Sequence, residues 1–162
     1  MNIELKNIKI YKELSEETRC FTATLYIDGV NKGRVSNRGQ GGENSYDDMT
    51  WNELKEVNIW CESNLPMFEY AGRKMKTDLE LHLENIMDEY ENTKWFKRHT
   101  KNHILIIDDE CKKGQFYKYK KASLPDDAPE VIYKKLKELK CFEGKNPIIL
   151  NELDIKEAIS LV

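Results

Sequence analysis

The sequence has no CxxC pair and no long apolar run. Its four cysteines, Cys20, Cys61, Cys111 and Cys141, are far apart. The missing CxxC spacing argues against a zinc ribbon or a thioredoxin-like redox motif, so we expect free thiols. A membrane helix needs about 20 consecutive apolar residues, and no segment approaches that length. We therefore expect neither a cofactor nor a membrane partner.

The two standard glycine-rich phosphate-binding motifs are also missing. The segment Gly39-Gln40-Gly41-Gly42 is not followed by the Lys-Ser/Thr pair of a P-loop. It also lacks the G-x-G-x-x-G pattern that opens a helix after a strand. Nucleotide binding by either standard route therefore has no support in the sequence.

Size and composition predict a single domain, residues 1–162. Charged residues make up 34% and hydrophobic residues 40% of the chain, which is typical of a soluble globular protein. The first residues, Met1–Leu5, lack the basic and apolar regions of a signal peptide. We therefore expect a cytoplasmic location.

Charge is unevenly distributed along the chain. Residues 43–91 carry thirteen Asp and Glu against four Lys and Arg, whereas residues 94–121 carry nine Lys and Arg against three acids. Such a split can steer a charged partner. It is more typical of a solvated acidic helix followed by a basic hairpin.

Alternating apolar residues predict five strands. A change of phase near Asn7 indicates a bulge, because a period of two cannot otherwise switch faces. Asp28-Gly29-Val30-Asn31 is the expected turn between the second and third strands. The predicted strands are Ile3–Tyr11, Cys20–Asp28, Lys32–Asn37, His103–Asp109 and Phe116–Lys121.

Four helices are predicted from capping signals and helical periodicity. Thr50–Glu53 and Thr77–Glu80 match the capping box, and the second of these helices is expected to run to about Lys97. A third starts near Pro129, and a fourth covers Asn151–Leu161 with Asn151 as its cap. Residues 66–76 are expected to be a mobile connection. The fold class is therefore α+β, with an antiparallel sheet of about five strands packed with about four helices.

The polar segment after the first hairpin is the main candidate binding site. It concentrates glycines, which allow backbone N–H groups to approach an anion or a partner. Arginine suits phosphate geometry. The candidate binding residues are Arg34, Arg38, Gly39, Gly41, Gly42, Asn44 and Tyr46.

A metal site is a second candidate. His99 and His103 have the H-x3-H spacing that places two imidazoles on one helical face, although the adjacent glutamate of HExxH is missing. Asp108 and Asp109 follow an apolar strand, where carboxylates can gather around Mg²⁺. Convergence of the four side chains would favour a metal-dependent phosphodiesterase or nuclease.

Basic and aromatic residues alternate around the second predicted hairpin. The aromatic residues are Trp95, Phe96, Phe116, Tyr117 and Tyr119, and the basic residues between and beside them are Lys94, Lys97, Arg98, Lys118, Lys120 and Lys121. This mixture suits base stacking with phosphate contacts, but aromatic residues in hairpins also pack across strands. Nucleic acid is therefore the less favoured partner.

The N-terminal third contains a set of short patterns: Glu4–Ile8, Ser15-x-Glu17-Thr18-x-Cys20-Phe21-x-Ala23, Tyr26-x-Asp28-Gly29, Gly33, Asn37 and Gly39-x-Gly41-Gly42. On these residues it resembles a set of small uncharacterised proteins of bacteria and their mobile elements. A weaker match is the end of the chain, Ile149-Leu150-Asn151 followed by Glu157-Ala158. The resemblance implies no activity.

The sequence favours a non-catalytic cytoplasmic protein that binds another protein, such as a phage or mobile-element inhibitor or accessory factor. No catalytic motif is assembled along the chain. The alternatives are a binder of a nucleotide or other anionic small molecule through the glycine-rich segment, and the metal-dependent enzyme described above.

Overall fold

The computed structural model describes all 162 residues and confirms the α+β class. Four α-helices accompany three antiparallel sheets of four, two and three strands, where one sheet of about five strands was predicted. The chain forms two compact units, residues 1–89 and 90–162. The single domain stays a prediction. No helix combines the length and the apolar character needed to cross a membrane.

The first unit begins with a sheet in which neighbouring strands follow chain order. The predicted bulge is confirmed, because the register with the second strand shifts between Lys6 and Lys9 and Asn7 has a φ of 54°. The strands are β1 (Ile3–Ile10), β2 (Phe21–Ile27), β3 (Val30–Asn37) and β4 (Ser45–Tyr46).

The turn between β2 and β3 is tighter than predicted. Ile27 pairs directly with Val30, so Asp28 and Gly29 alone form the turn. Both have positive φ, 50° and 78°, as a type I′ turn requires. Val30 and Asn31, which were expected to lie in the turn, belong to β3 because this turn type matches the twist of the two strands.

Helix α1 (Trp51–Asn64) begins and ends as predicted. Thr50 and Glu53 form a reciprocal capping box, and the helix stops before Leu65-Pro66. The inward side chains Val57 and Cys61 belong to the core of the first unit. That core also includes Phe21, Ala23, Leu25 and Val35 from the sheet, and Leu79, Leu83 and Met87 from the second helix.

Residues 66–76, expected to be a mobile connection, contain a small hairpin. Its strands are β5 (Phe68–Tyr70) and β6 (Arg73–Met75), joined at Ala71-Gly72. The Thr77 hydroxyl donates to the Pro66 carbonyl oxygen and links the two ends of this segment. The sequence did not predict these two strands, because each is too short to show a period of two.

Helix α2 (Leu79–Asn102) extends beyond the predicted end at Lys97. The capping box predicted for Thr77–Glu80 is wrong. Asp78 Oδ1 accepts from the Leu81 N–H, so Asp78 supplies the cap. The Glu80 carboxylate instead accepts from Asn44 and Tyr46, which are remote in sequence.

The second unit is built around β7 (His103–Ile107), which lies between β8 (Tyr117–Lys120) and β9 (Ile148–Ile149). Residues Ile104–Ile107 are buried, which confirms the predicted central strand. Helix α3 (Pro129–Lys137) has proline in its first turn, as predicted.

The last helix, α4 (Ile155–Ser160), is shorter than predicted because its cap is Asp154 and not Asn151. The Asn151 side chain instead bridges to β7. It accepts from the Leu105 N–H at 2.8 Å and donates to the His103 carbonyl at 3.1 Å. A competing long-range pair of hydrogen bonds thus removes the predicted cap.

Candidate functional site

The glycine-rich segment is closed by hydrogen bonds within the chain. The buried Asn37 side chain accepts from the Gly39 N–H and the Thr18 hydroxyl, both at 2.8 Å. The Gly41 N–H donates to the Thr18 hydroxyl at 3.2 Å. Two of the amide groups expected to receive an anion therefore already have partners.

Gly39 also holds the connection between β1 and β2. Its carbonyl oxygen accepts from the N–H groups of Glu16 and Glu17, both at 2.9 Å, and from that of Thr18 at 3.3 Å. Gly39 itself is buried. The observed role of this glycine is therefore to join two segments of the unit.

Asn44 and Tyr46 are joined to Glu80. The Asn44 N–H donates to Glu80 Oε2 at 3.0 Å, and the Tyr46 hydroxyl donates to Oε1 at 2.6 Å. Burial is the main cause that raises the pKa of the Glu80 carboxyl, and nearby acids add to it. Burial and the bond to Glu80 raise the pKa of Tyr46 as well.

Replacing Glu80 with glutamine should change how stability depends on pH. When folding raises the pKa of a carboxyl, the folded state binds its proton more tightly than the unfolded state does. The contribution of Glu80 to the free energy of unfolding is therefore present below pH 4.5 and is lost as the pH rises through the raised pKa. We expect the free energy of unfolding of Glu80→Gln to rise relative to the parent above pH 4.5. Urea unfolding across this range measures the difference, and a difference independent of pH would contradict the assignment.

Arg34 and Arg38 line one concavity of about 440 Å³. The Arg34 Nε lies 3.1 Å from Asp47 Oδ2, yet the side chain is 62% exposed. Arg38 is also exposed. The structure therefore brings the two predicted arginines together, but it places Gly41, Gly42, Asn44 and Tyr46 outside the lining of this concavity.

The four residues of the candidate metal site do not form a ligand cluster. The His99 Nδ1 lies 2.8 Å from the Trp95 carbonyl oxygen, and Asp109 lies 3.4 Å from the Asn146 amide. Asp108 Oδ2 accepts from the Tyr117 hydroxyl at 3.0 Å and lies 3.4 Å from the Lys145 ammonium.

The environment of Asp108 explains its ionisation. Burial alone would raise the pKa of this carboxyl, but hydrogen bonds from Cys111, Tyr117, the Glu110 N–H and Lys145 together hold its pKa below the usual value. A carboxylate with this many partners inside the protein has a structural role.

Aromatic residues of the basic segment pack against one another. The Trp95 and Phe116 rings meet edge to face at 5.5 Å, and those of Tyr117 and Phe142 at 5.0 Å. Lys118 and Lys120 are exposed. The packing accounts for these aromatic residues without a bound base.

Sequence reasoning missed a run of large apolar side chains that lie exposed between residues 51 and 75. Trp51 is 77% exposed and Tyr70 is 68% exposed. The signal was present in α1, where Ile59 lies opposite the face that buries Val57 and Cys61. We use the name helix–hairpin surface for these exposed side chains, which lie within one stretch of the sequence: Trp51, Ile59, Met67, Tyr70 and Met75.

A pocket of about 270 Å³ lies beside Trp51. Three carboxylates line it, those of Glu43, Asp78 and Glu80, against the single ammonium of Lys55. A negative potential therefore adjoins one end of the helix–hairpin surface.

The chain matches no protein-family model, no curated protein and no solved structure.

Proposed function

We propose that this protein is a non-catalytic binding protein that contacts another protein through the helix–hairpin surface. The observation that carries the proposal is the exposure of five large apolar side chains within 25 consecutive residues, 51–75. Single exposed apolar residues are ordinary on protein surfaces, but a concentration of them is typical of interaction sites.

The residue types suit an interface. Tryptophan and tyrosine are enriched among the side chains that contribute most to binding, because each buries a large rigid area at low cost in conformational entropy. Met67 and Met75 are exposed beside Tyr70 in the chain, and methionine adapts to irregular partner surfaces. Trp51 and Tyr70 are therefore the expected anchors.

The charge near Trp51 indicates the chemistry of the partner. The adjoining pocket presents three carboxylates and one ammonium, and a cation over an indole ring is favourable. We therefore expect the partner to place an arginine or lysine beside Trp51, with an apolar area around it. Such charge complementarity mainly improves specificity and the association rate.

The proposal includes a cytoplasmic location and a phage or mobile-element origin, with action as an inhibitor or accessory factor. The support for this origin is the resemblance of the N-terminal third to small proteins of bacteria and their mobile elements. The lack of a converging metal-ligand cluster leaves the metal-dependent alternative without support from the geometry.

Photo-crosslinking tests the surface directly. A benzoylphenylalanine at Tyr70 should capture one partner from a lysate of the source organism, because the tyrosine side chain is exposed. The same group at Tyr11, an exposed tyrosine in the first unit but outside the surface, is the matched control. We expect capture at position 70 and none at position 11.

The identity of the crosslinked product also distinguishes a separate partner protein from a second copy of this chain. A product that contains only this chain would make a second copy the partner. Equal capture of the same protein at both positions, or capture at position 11 alone, would contradict the proposed surface.

A further inference from the structure

The outer face of the four-stranded sheet is rich in cations and hydroxyl groups. Paired residues in an antiparallel sheet share a face, and the residues that alternate with the buried side chains along each strand lie on the opposite face. One cross-strand row joins Lys6, Thr24 and Arg34, and the next joins Lys9, Thr22 and Ser36. The face therefore presents three cations and three hydroxyl groups in adjacent rows.

The cations of this face contrast with the net negative charge of the first unit, to which the sheet belongs. Residues 1–89 contain seventeen Asp and Glu against eleven Lys and Arg. Glu4 lies 3.7 Å from Lys6, and Asp47 lies 3.1 Å from the Arg34 Nε, so two cations of the face have acidic neighbours. The three cations of the face outnumber these two acids, although the unit as a whole is acidic.

The concavity of about 440 Å³ lies at one edge of this face. Its lining includes Arg34, Ser36 and Thr22 from the strands, together with Arg38 and Tyr11. The Arg34–Asp47 ion pair uses Nε, and both arginines remain exposed. Glu16 also lines the concavity and is the acid that an anion would approach there.

We propose that this concavity binds a nucleoside monophosphate, with its phosphate between the guanidinium groups of Arg34 and Arg38. Guanidinium groups match phosphate oxygens in a bidentate geometry. The hydroxyls of Thr22 and Ser36 donate further hydrogen bonds, and the Tyr11 ring offers a surface for the base. The inference is independent of the helix–hairpin surface.

Size and charge favour a mononucleotide over a nucleic acid strand. The volume lies within the range of small-molecule sites, about 300–1,000 Å³. A strand would bring many phosphates to a unit with six more acids than bases. Because the Gly39 and Gly41 amides have internal partners, side chains and not a backbone loop perform the recognition.

Calorimetric titration of the full chain tests the proposal with AMP, adenosine, inorganic phosphate and a single-stranded oligonucleotide. We expect AMP to bind at least about tenfold more tightly than adenosine or phosphate. Arg34→Ala and Arg38→Ala should each weaken AMP binding at least about tenfold, with unchanged melting temperatures. Lys74→Ala removes an exposed cation of β6 and should bind AMP like the parent.

The double variant Arg34→Lys/Arg38→Lys keeps both charges but removes the planar guanidinium groups. We expect it to bind AMP more weakly than the parent, whereas equal binding would show nonspecific electrostatics and overturn the proposal. Absence of AMP binding at millimolar concentration, equal binding of AMP and phosphate or adenosine, or much tighter binding of the oligonucleotide would also overturn it.

Discussion

Replacing Gly39 with alanine is expected to destabilise the protein by about 3–4 kcal/mol, the sum of a left-handed backbone cost and overpacking. The residue has a φ of 85° and is buried. An added Cβ would overlap the Leu14 carbonyl oxygen and lie 2.8 Å from the Cys20 Cβ. The clash with backbone cannot be relieved by a change of side-chain rotamer. Urea unfolding measures the loss.

Gly42→Ala is the matched control. Gly42 has nearly the same φ, 87°, but an added Cβ there meets nothing within 4 Å. The expected loss of stability is then only that of placing alanine at a positive φ, about 1 kcal/mol. Equal destabilisation by the two variants would mean that a methyl group at position 39 does not clash with Leu14 and Cys20.

The features that the sequence predicted correctly depend on neighbouring residues. The bulge at Asn7, the capping box at Thr50 and the proline at the start of α3 each follow from a local pattern. The buried strand at residues 104–107 follows from an uninterrupted apolar run. Local patterns are reliable where no distant group competes for the same hydrogen bonds.

The two helix caps that were predicted wrongly involve such competition. Glu80 could have closed a capping box with Thr77 but instead accepts from Asn44 and Tyr46, and Asn151 bridges to β7 where a helix cap was expected. These partners lie 34 or more residues away. A single sequence contains no signal for this choice.

The candidate site was predicted in part for a similar reason. Arg34 and Arg38 line one concavity, as their positions four residues apart along one segment allowed. The closure of the glycine segment was not predictable, because Asn37 and Thr18 are 19 residues apart. A glycine-rich composition indicates unusual backbone geometry, but it does not say whether the N–H groups are free.

Trp51→Ala is expected to weaken partner binding by about 2–4 kcal/mol, which corresponds to a loss of about 30- to 900-fold in affinity. The indole is the largest exposed side chain of the helix–hairpin surface, and it adjoins the acidic pocket. Because the side chain is 77% exposed in the free protein, its removal should leave the melting temperature unchanged. The loss should therefore appear in binding alone.

The central claim is that the helix–hairpin surface, and not the glycine-rich segment, contacts the partner. The most direct test is the affinity of the partner captured at position 70 for the parent, for Trp51→Ala and for Arg38→Ala, measured by surface plasmon resonance. We predict a large loss with Trp51→Ala and a change of less than about threefold with Arg38→Ala. A large loss with Arg38→Ala together with parental affinity for Trp51→Ala would contradict the claim.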